Sequence, residues 1–288
     1  MSSVPDTRRA IDVQTRLLST ARLELVPMKS VAGQLQHLPA HAPLAVTCSP
    51  VKGLGATLEL TSQLLDLGHD PVPHLSTRLV EDRAHVSRLA SWIREHGLSE
   101  VFLVAGDASE PVGAYEGVLP FLRDLLDAGP GLVRIGVTAY PDGHALIERS
   151  VLSSALHAKQ DLLAEAGIAG YATTQMCFDA ALWRSWAESE RKAGLLLPLH
   201  LGLPGAVDRT KLLTMGVRLG IGASLRFVKK NRGAISRLFS PTRYDPAKLL
   251  VPLSRHAESL GIDGLHVFTF NHVEATLAWR ERQLARLA

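Results

Sequence analysis

Short apolar runs recur along this chain, each followed by a loop and then a segment whose apolar residues return at helical spacing. The runs lie at 21–27, 44–50, 72–77, 101–107, 133–141, 170–178, 195–204 and 264–271. Bulky and β-branched residues mark them as strands, as in GYATT at 170–174. Between them, Val86, Leu89, Ala90 and Ile93 fall at i, i+3, i+4 and i+7, with Gly97 placed to end that helix. Asp245 followed by Pro246 predicts another helix start, because a missing N–H costs little in the first turn. Glycines at the ends of 66–68, 127–129, 165–167 and 192–194 predict left-handed exits from four more helices.

Eight strands alternating with helices predict parallel pairing in an α/β fold, and the count favours closure into a (β/α)8 barrel. A doubly wound open sheet is the alternative, but no strand is followed by a GxGxxG turn, and GLGAT at 53–57 lacks that spacing. The segment 205–263 is too long for one crossover helix and is expected to carry a helical excursion between strands seven and eight. Residues 1–19 read as a loose, weakly helical arm, and 20–288 as one catalytic barrel domain.

Composition fits this picture. The 288 residues are 46% apolar and 20% charged, enough for an ample core. No apolar run approaches the roughly 20 residues of a membrane helix, and the first twenty residues lack the apolar centre of a secretory signal. Cys48 and Cys177, expected in separate strands, form no disulfide framework and no metal-ligand spacing, so a cytoplasmic setting is expected. A net charge of +3, aromatics at 5% and the lack of any nucleic-acid motif leave small molecules as the expected partners. Oligomeric state is not legible, because exposed and core-facing apolar residues on barrel helices share one pattern.

Active sites of such barrels lie at the C-terminal ends of the strands. Glu24, His74, Asp107, Tyr140, Gln175 and Asn271 all fall at or near those ends. Glu24 alternates with Leu23 and Leu25, so leucines packed on helices would turn its carboxylate into the barrel mouth. Desolvation there would make it a general acid; the plainer reading is an ion-paired structural glutamate. Asp107 is equally placed to cap a loop, and His74 and His144 to be polar core or rim residues. The run 208–232 holds seven cations, Lys229 and Lys230 among them, against the single acid Asp208. It reads as a site for phosphates or several carboxylates, or as a solvated basic face.

Six short elements then occur in order: LELVP at 23–27, PHLSTR at 73–78, AGD at 105–107, AYPDGH at 139–144, TTQMCFD at 173–179 and HVFTFN at 266–271. Together they resemble the methylenetetrahydrofolate reductase family from about residue 20 to the end. The resemblance implies reduction of 5,10-methylenetetrahydrofolate to 5-methyltetrahydrofolate in one-carbon metabolism and methionine supply. It makes Glu24 the acid that opens the folate ring and Asp107 the group that stabilises the iminium. Gln175 and Asn271 would bind the pterin side, and Lys229 and Lys230 the glutamate tail. The family's usual arginine before Gly-Asp is here Ala105, its helix lysine falls on or near Leu163, and the arginine after the last asparagine is His272. FAD is therefore doubtful, and the resemblance implies direct hydride transfer from NADH, or NADPH. Thr47, His74, Tyr140 and His144, the family's flavin side, would then line the nicotinamide site. The alternatives are a conventional FAD-dependent reductase and a non-catalytic folate-binding barrel.

Overall fold

The computed structural model describes residues 4–207 and 245–288. Strands β1 (Arg22–Leu25), β2 (Pro43–Val46), β3 (Asp70–Ser76), β4 (Glu100–Val104), β5 (Arg134–Ala139), β6 (Ala169–Thr174), β7 (Leu199–Pro204) and β8 (Ile262–Phe268) pair in chain order. All pairs are parallel, and β8 returns to β1. The molecule is a (β/α)8 TIM barrel, as the alternation of elements predicts. Around it lie α1 (Val4–Ser19), α2 (Ala32–Leu35), α3 (Gly53–Asp66), α4 (Arg83–Glu95), α5 (Val118–Asp127), α6 (Arg149–Glu165), α7 (Ala180–Lys192), α8 (Ala247–Ser254), α9 (Ala257–Leu260) and α10 (Val273–Leu287).

Period-two alternation divides each strand between two environments. Leu23, Leu25, Leu44, Val46, Leu75, Leu103, Val137, Leu201 and Val267 face the helices and form the main core. Val86, Leu89, Ala90 and Ile93 of α4 pack into it, and Asp82 caps that helix by accepting the His85 N–H at 2.8 Å. The intervening residues point inward, where the filling is aromatic and polar. Val72, Phe102 and Tyr171 form a separate interior cluster.

Two sequence expectations are corrected here. The arm expected over 1–19 is a helix from Val4 to Ser19, packed on α8, α10 and β8 with Leu17 and Leu18 buried. Its isolated apolar residues are the buried stripe of a helix. Cys48 and Cys177 lie beyond the ends of β2 and β6 rather than within them, and both thiols are free. Lys229, Lys230 and most of the expected excursion between β7 and β8 lie outside the described residues.

The N-terminal end of the barrel is closed by a polar knot. Arg22 makes a two-pronged pair with Glu100 and donates to the Tyr171 hydroxyl at 3.0 Å. Arg134 lies over the Tyr171 ring, 4.4 Å from its centroid, and donates to His200 Nε2 at 3.2 Å. Burial works against the Arg22 charge, yet Tyr171 and Glu100 hold its pKa above the ordinary value. Burial likewise opposes Glu100 ionisation, but Arg22 brings its pKa below the usual carboxylate range.

His200 accepts from an arginine, so its imidazole is neutral. Burial, then Arg134, Arg22 and His266, push its pKa well below 6.5. Unfolded, this histidine binds a proton near pH ~6.5, so the unfolded state holds more protons below that pH and stability falls with it. The contribution is fully present above pH ~6.5 and is lost as pH drops toward the depressed folded value, at up to ~1.4 kcal/mol per pH unit. Urea midpoints between pH 7.5 and 5 should therefore fall more gently in His200→Gln than in the wild type. An identical slope would assign the acid sensitivity elsewhere.

Gly136 makes room for the interior rings, because a Cβ there would overlap both Phe102 and Tyr171. Gly136→Ala should destabilise by ~1–3 kcal/mol in urea unfolding. Wild-type stability in that variant would mean the rings can shift freely.

Candidate functional site

Inside the barrel, in the C-terminal halves of their strands, three inward residues meet. Glu24 comes from β1, His74 from β3 and His266 from β8, and all three are buried. His266 Nε2 lies 3.0 Å from Glu24 Oε2, and His74 Nδ1 lies 4.0 Å from the same oxygen. The ligand-type atoms of all three lie within 4.8 Å of one another. The imidazole planes are stacked with centroids 5.7 Å apart, over Phe102 at 4.6 Å from His74 and 6.3 Å from His266.

Each group is positioned by ordinary strand logic plus a few local bonds. Leu23 and Leu25 pack outward, which turns Glu24 in. Thr269 Oγ1 donates to the Glu24 carbonyl at 2.5 Å. Asn271 accepts the Val26 N–H at 2.9 Å, returns an N–H to the Val26 carbonyl at 2.9 Å and donates to Ser30 Oγ at 3.2 Å. Its amide thus ties the end of β1 to the segment after β8. Phe270 and Asn271 take left-handed φ values of 51° and 57° to make the turn.

The two histidines differ. His266 is hydrogen-bonded to the carboxylate, so its Nε2 is the donor. His74 has no hydrogen-bond partner at Nε2 among the described residues. Burial, then His266 and Arg22, depress the His74 pKa well below the ordinary value, so this imidazole is neutral.

On the rim, a second group collects. Gly106, at φ 95°, turns the chain tightly past Ser76 and leaves Asp107 exposed at the mouth. Crowding there removes enough solvent to raise the Asp107 carboxyl above its ordinary pKa, while His144 pulls it down. Tyr140 and His144 meet edge to face with centroids 5.6 Å apart. Asp107 is felt electrostatically at Tyr140 too, whose hydroxyl is raised chiefly by burial. Arg78, just past β3, donates to the Ser109 carbonyl at 2.7 Å and keeps a buried Nε–H without partner among the described residues.

The remaining predicted residues are placed differently. Gln175 is half-buried past β6, and its side-chain oxygen accepts the Met176 N–H at 2.8 Å. No hydrogen bond joins it to Glu24 among the described residues. Thr47 is half-buried past β2, its carbonyl accepting from Thr57 Oγ1 at 3.1 Å. A cleft of about 470 Å3 opens beside Tyr140 between α6 and α7 rather than over the barrel axis. It contains Ser153 and buried Glu190, which are bonded to each other at 2.9 Å. Lys159 is buried beneath the Thr138 carbonyl at 3.5 Å, and burial lowers its pKa to about 8.

Sequence reasoning missed His266 and Arg78 as individual residues. His266 had a signal: it stands two residues before Phe268 on the inward face of β8, the same relation to a strand end that His74 has to Ser76. Arg78 sits inside the PHLSTR element, but nothing in its spacing separates it from a surface arginine.

No family model matches the chain. Among solved structures, it is similar to a putative lyase/mutase from Burkholderia cenocepacia J2315, at 14% identity and a TM-score of 0.47, over 96% of this chain and 87% of the other. It is similar to an oxaloacetate acetylhydrolase at 11% identity and a TM-score of 0.50, over 99% and 87%. A putative phosphonomutase from Burkholderia cenocepacia J2315 follows at 14% and 0.48, over 96% and 98%. At such identities the likeness is one of fold.

These findings correct the family resemblance. The similar barrel with a TM-score of 0.50 is named as an acetylhydrolase, not as a folate reductase, and no family model supports the short motifs. The reductase activity and the folate assignments are not retained, and the nicotinamide and flavin expectations rested on the same resemblance. The physical reason is that every barrel of this class carries polar residues at its C-terminal strand ends, so brief matches there are weak discriminators.

Proposed function

We propose that the chain is a lyase-type enzyme that polarises a carbonyl or carboxylate oxygen of a small acid at the C-terminal mouth of the barrel. The observation that carries this reading is the buried Glu24–His74–His266 centre in the C-terminal halves of its strands, toward the end where such barrels do their chemistry. The unpartnered His74 nitrogen is a donor suited to a substrate oxygen that gains charge during reaction. Asp107, with its carboxyl raised, is the group assigned to move the proton, and Tyr140 and His144 orient it. Arg78 supplies an N–H and positive charge for a substrate carboxylate. The name of the similar acetylhydrolase, which refers to oxaloacetate, supports small oxo acids as the first class to try.

The test is proton NMR in D2O on a set of small 2-oxo acids, oxaloacetate and pyruvate included. Enzyme-dependent exchange of a carbon-bound proton, or cleavage of the acid, is the expected result. Failure to accelerate either process with any of these acids would remove the reading.

A further inference from the structure

We propose that Glu24, His74 and His266 form a binding site for one divalent transition-metal ion of the zinc class. The donor set is one carboxylate oxygen and two imidazole nitrogens, which suits zinc better than magnesium or calcium. Ligands bonded to zinc at 2.0–2.1 Å in tetrahedral geometry stand ~3.3 Å apart. Glu24 Oε2 lies 3.0 Å from His266 Nε2 and 4.0 Å from His74 Nδ1, so separations near the required value exist already. The 4.0 Å gap is too long for a hydrogen bond, and seating an ion between the groups closes it.

A second observation points the same way. Glu24 is a buried carboxylate with no arginine or lysine partner among the described residues, its nearest polar neighbours being the two histidines. Half-buried Glu100 has Arg22 and Arg134, and buried Glu190, which like Glu24 has a histidine at 3.0 Å, accepts the Ser153 hydroxyl as well. A metal ion would supply the missing positive charge at Glu24. The Thr269 and Asn271 bonds that hold the end of β1 in register would keep the oxygen aimed, as outer-shell partners do. Three protein ligands leave a fourth position open, the pattern of a catalytic rather than a structural zinc site.

The site is the centre used by the proposed lyase chemistry, but its ligand type, its spacing and the carboxylate without a cationic partner stand independently of that reading. The full chain, stripped with a chelator and dialysed, should bind one equivalent of Zn2+ in a calorimetric titration. Co2+ in its place should give the visible absorption of a four-coordinate site. Glu24→Gln, His74→Gln and His266→Gln should each weaken Zn2+ binding by at least ~100-fold, more than loss of an outer-shell partner causes. His200→Gln should leave binding unchanged. Absence of saturable binding, or binding indifferent to the three substitutions, overturns the site. If those variants fail to fold, X-ray absorption at the zinc edge of the wild type decides. Two imidazoles with oxygen ligands support the site, and any other first shell refutes it. Zinc binding without proton exchange would remove the lyase reading and keep the site; exchange without zinc binding would do the reverse.

Discussion

Arg22→Met is expected to lower the unfolding free energy by ~3–5 kcal/mol, the usual cost of leaving one member of a buried ion pair alone. Arg22 and Glu100 have side chains only 11% and 13% exposed, so solvent can do little for the orphaned carboxylate. The substitution also takes a donor from the Tyr171 hydroxyl, which has its pKa raised chiefly by burial. Arg134, 3.8 Å from Glu100, can take up part of the charge and sets the lower end of the range. Adding Glu100→Met should recover most of the loss, because an apolar pair of similar volume needs no desolvation. Urea unfolding of the single and double variants checks both statements. A single variant as stable as the wild type would mean that the knot contributes nothing to closing the barrel floor.

Glu24→Gln is expected to lower the oxo-acid reaction by ~10²–10³-fold while leaving the fold intact. The glutamine oxygen can still accept from His266 Nε2, so the hydrogen bond at 3.0 Å survives and the cavity keeps its shape. What disappears is the negative charge that orients both imidazoles and would hold an ion. The fall should appear in kcat with thermal stability close to wild type. A variant that retains full rate would show that the buried centre is structural filling.

How much of this was legible in the chain depends on the physics of each feature. Strand positions were readable because apolar runs and period-two alternation are local properties, and all eight observed strands overlap the expected runs. The orientation of Glu24 was readable for the same reason. Residues 1–19 read only as a loose, weakly helical arm because their apolar residues are spaced singly, and only packing on α8, α10 and β8 shows them to be core. Asn271 shows the opposite failure. A polar residue at a strand end reads as a ligand group, yet its amide is used by the Val26 backbone 245 positions away. Gln175 reads the same way, and its oxygen is taken by the neighbouring Met176 N–H.

Alone, the sequence determined the number and order of the strands and their alternation with helices, and hence the class of fold, because those follow from periodicity and from glycine and proline chemistry at element ends. Only the tertiary structure decided which polar residues share a centre. Glu24, His74 and His266 are brought together by closure of β8 on β1 and by strand stagger, and contacts across a closed barrel leave no trace in local spacing.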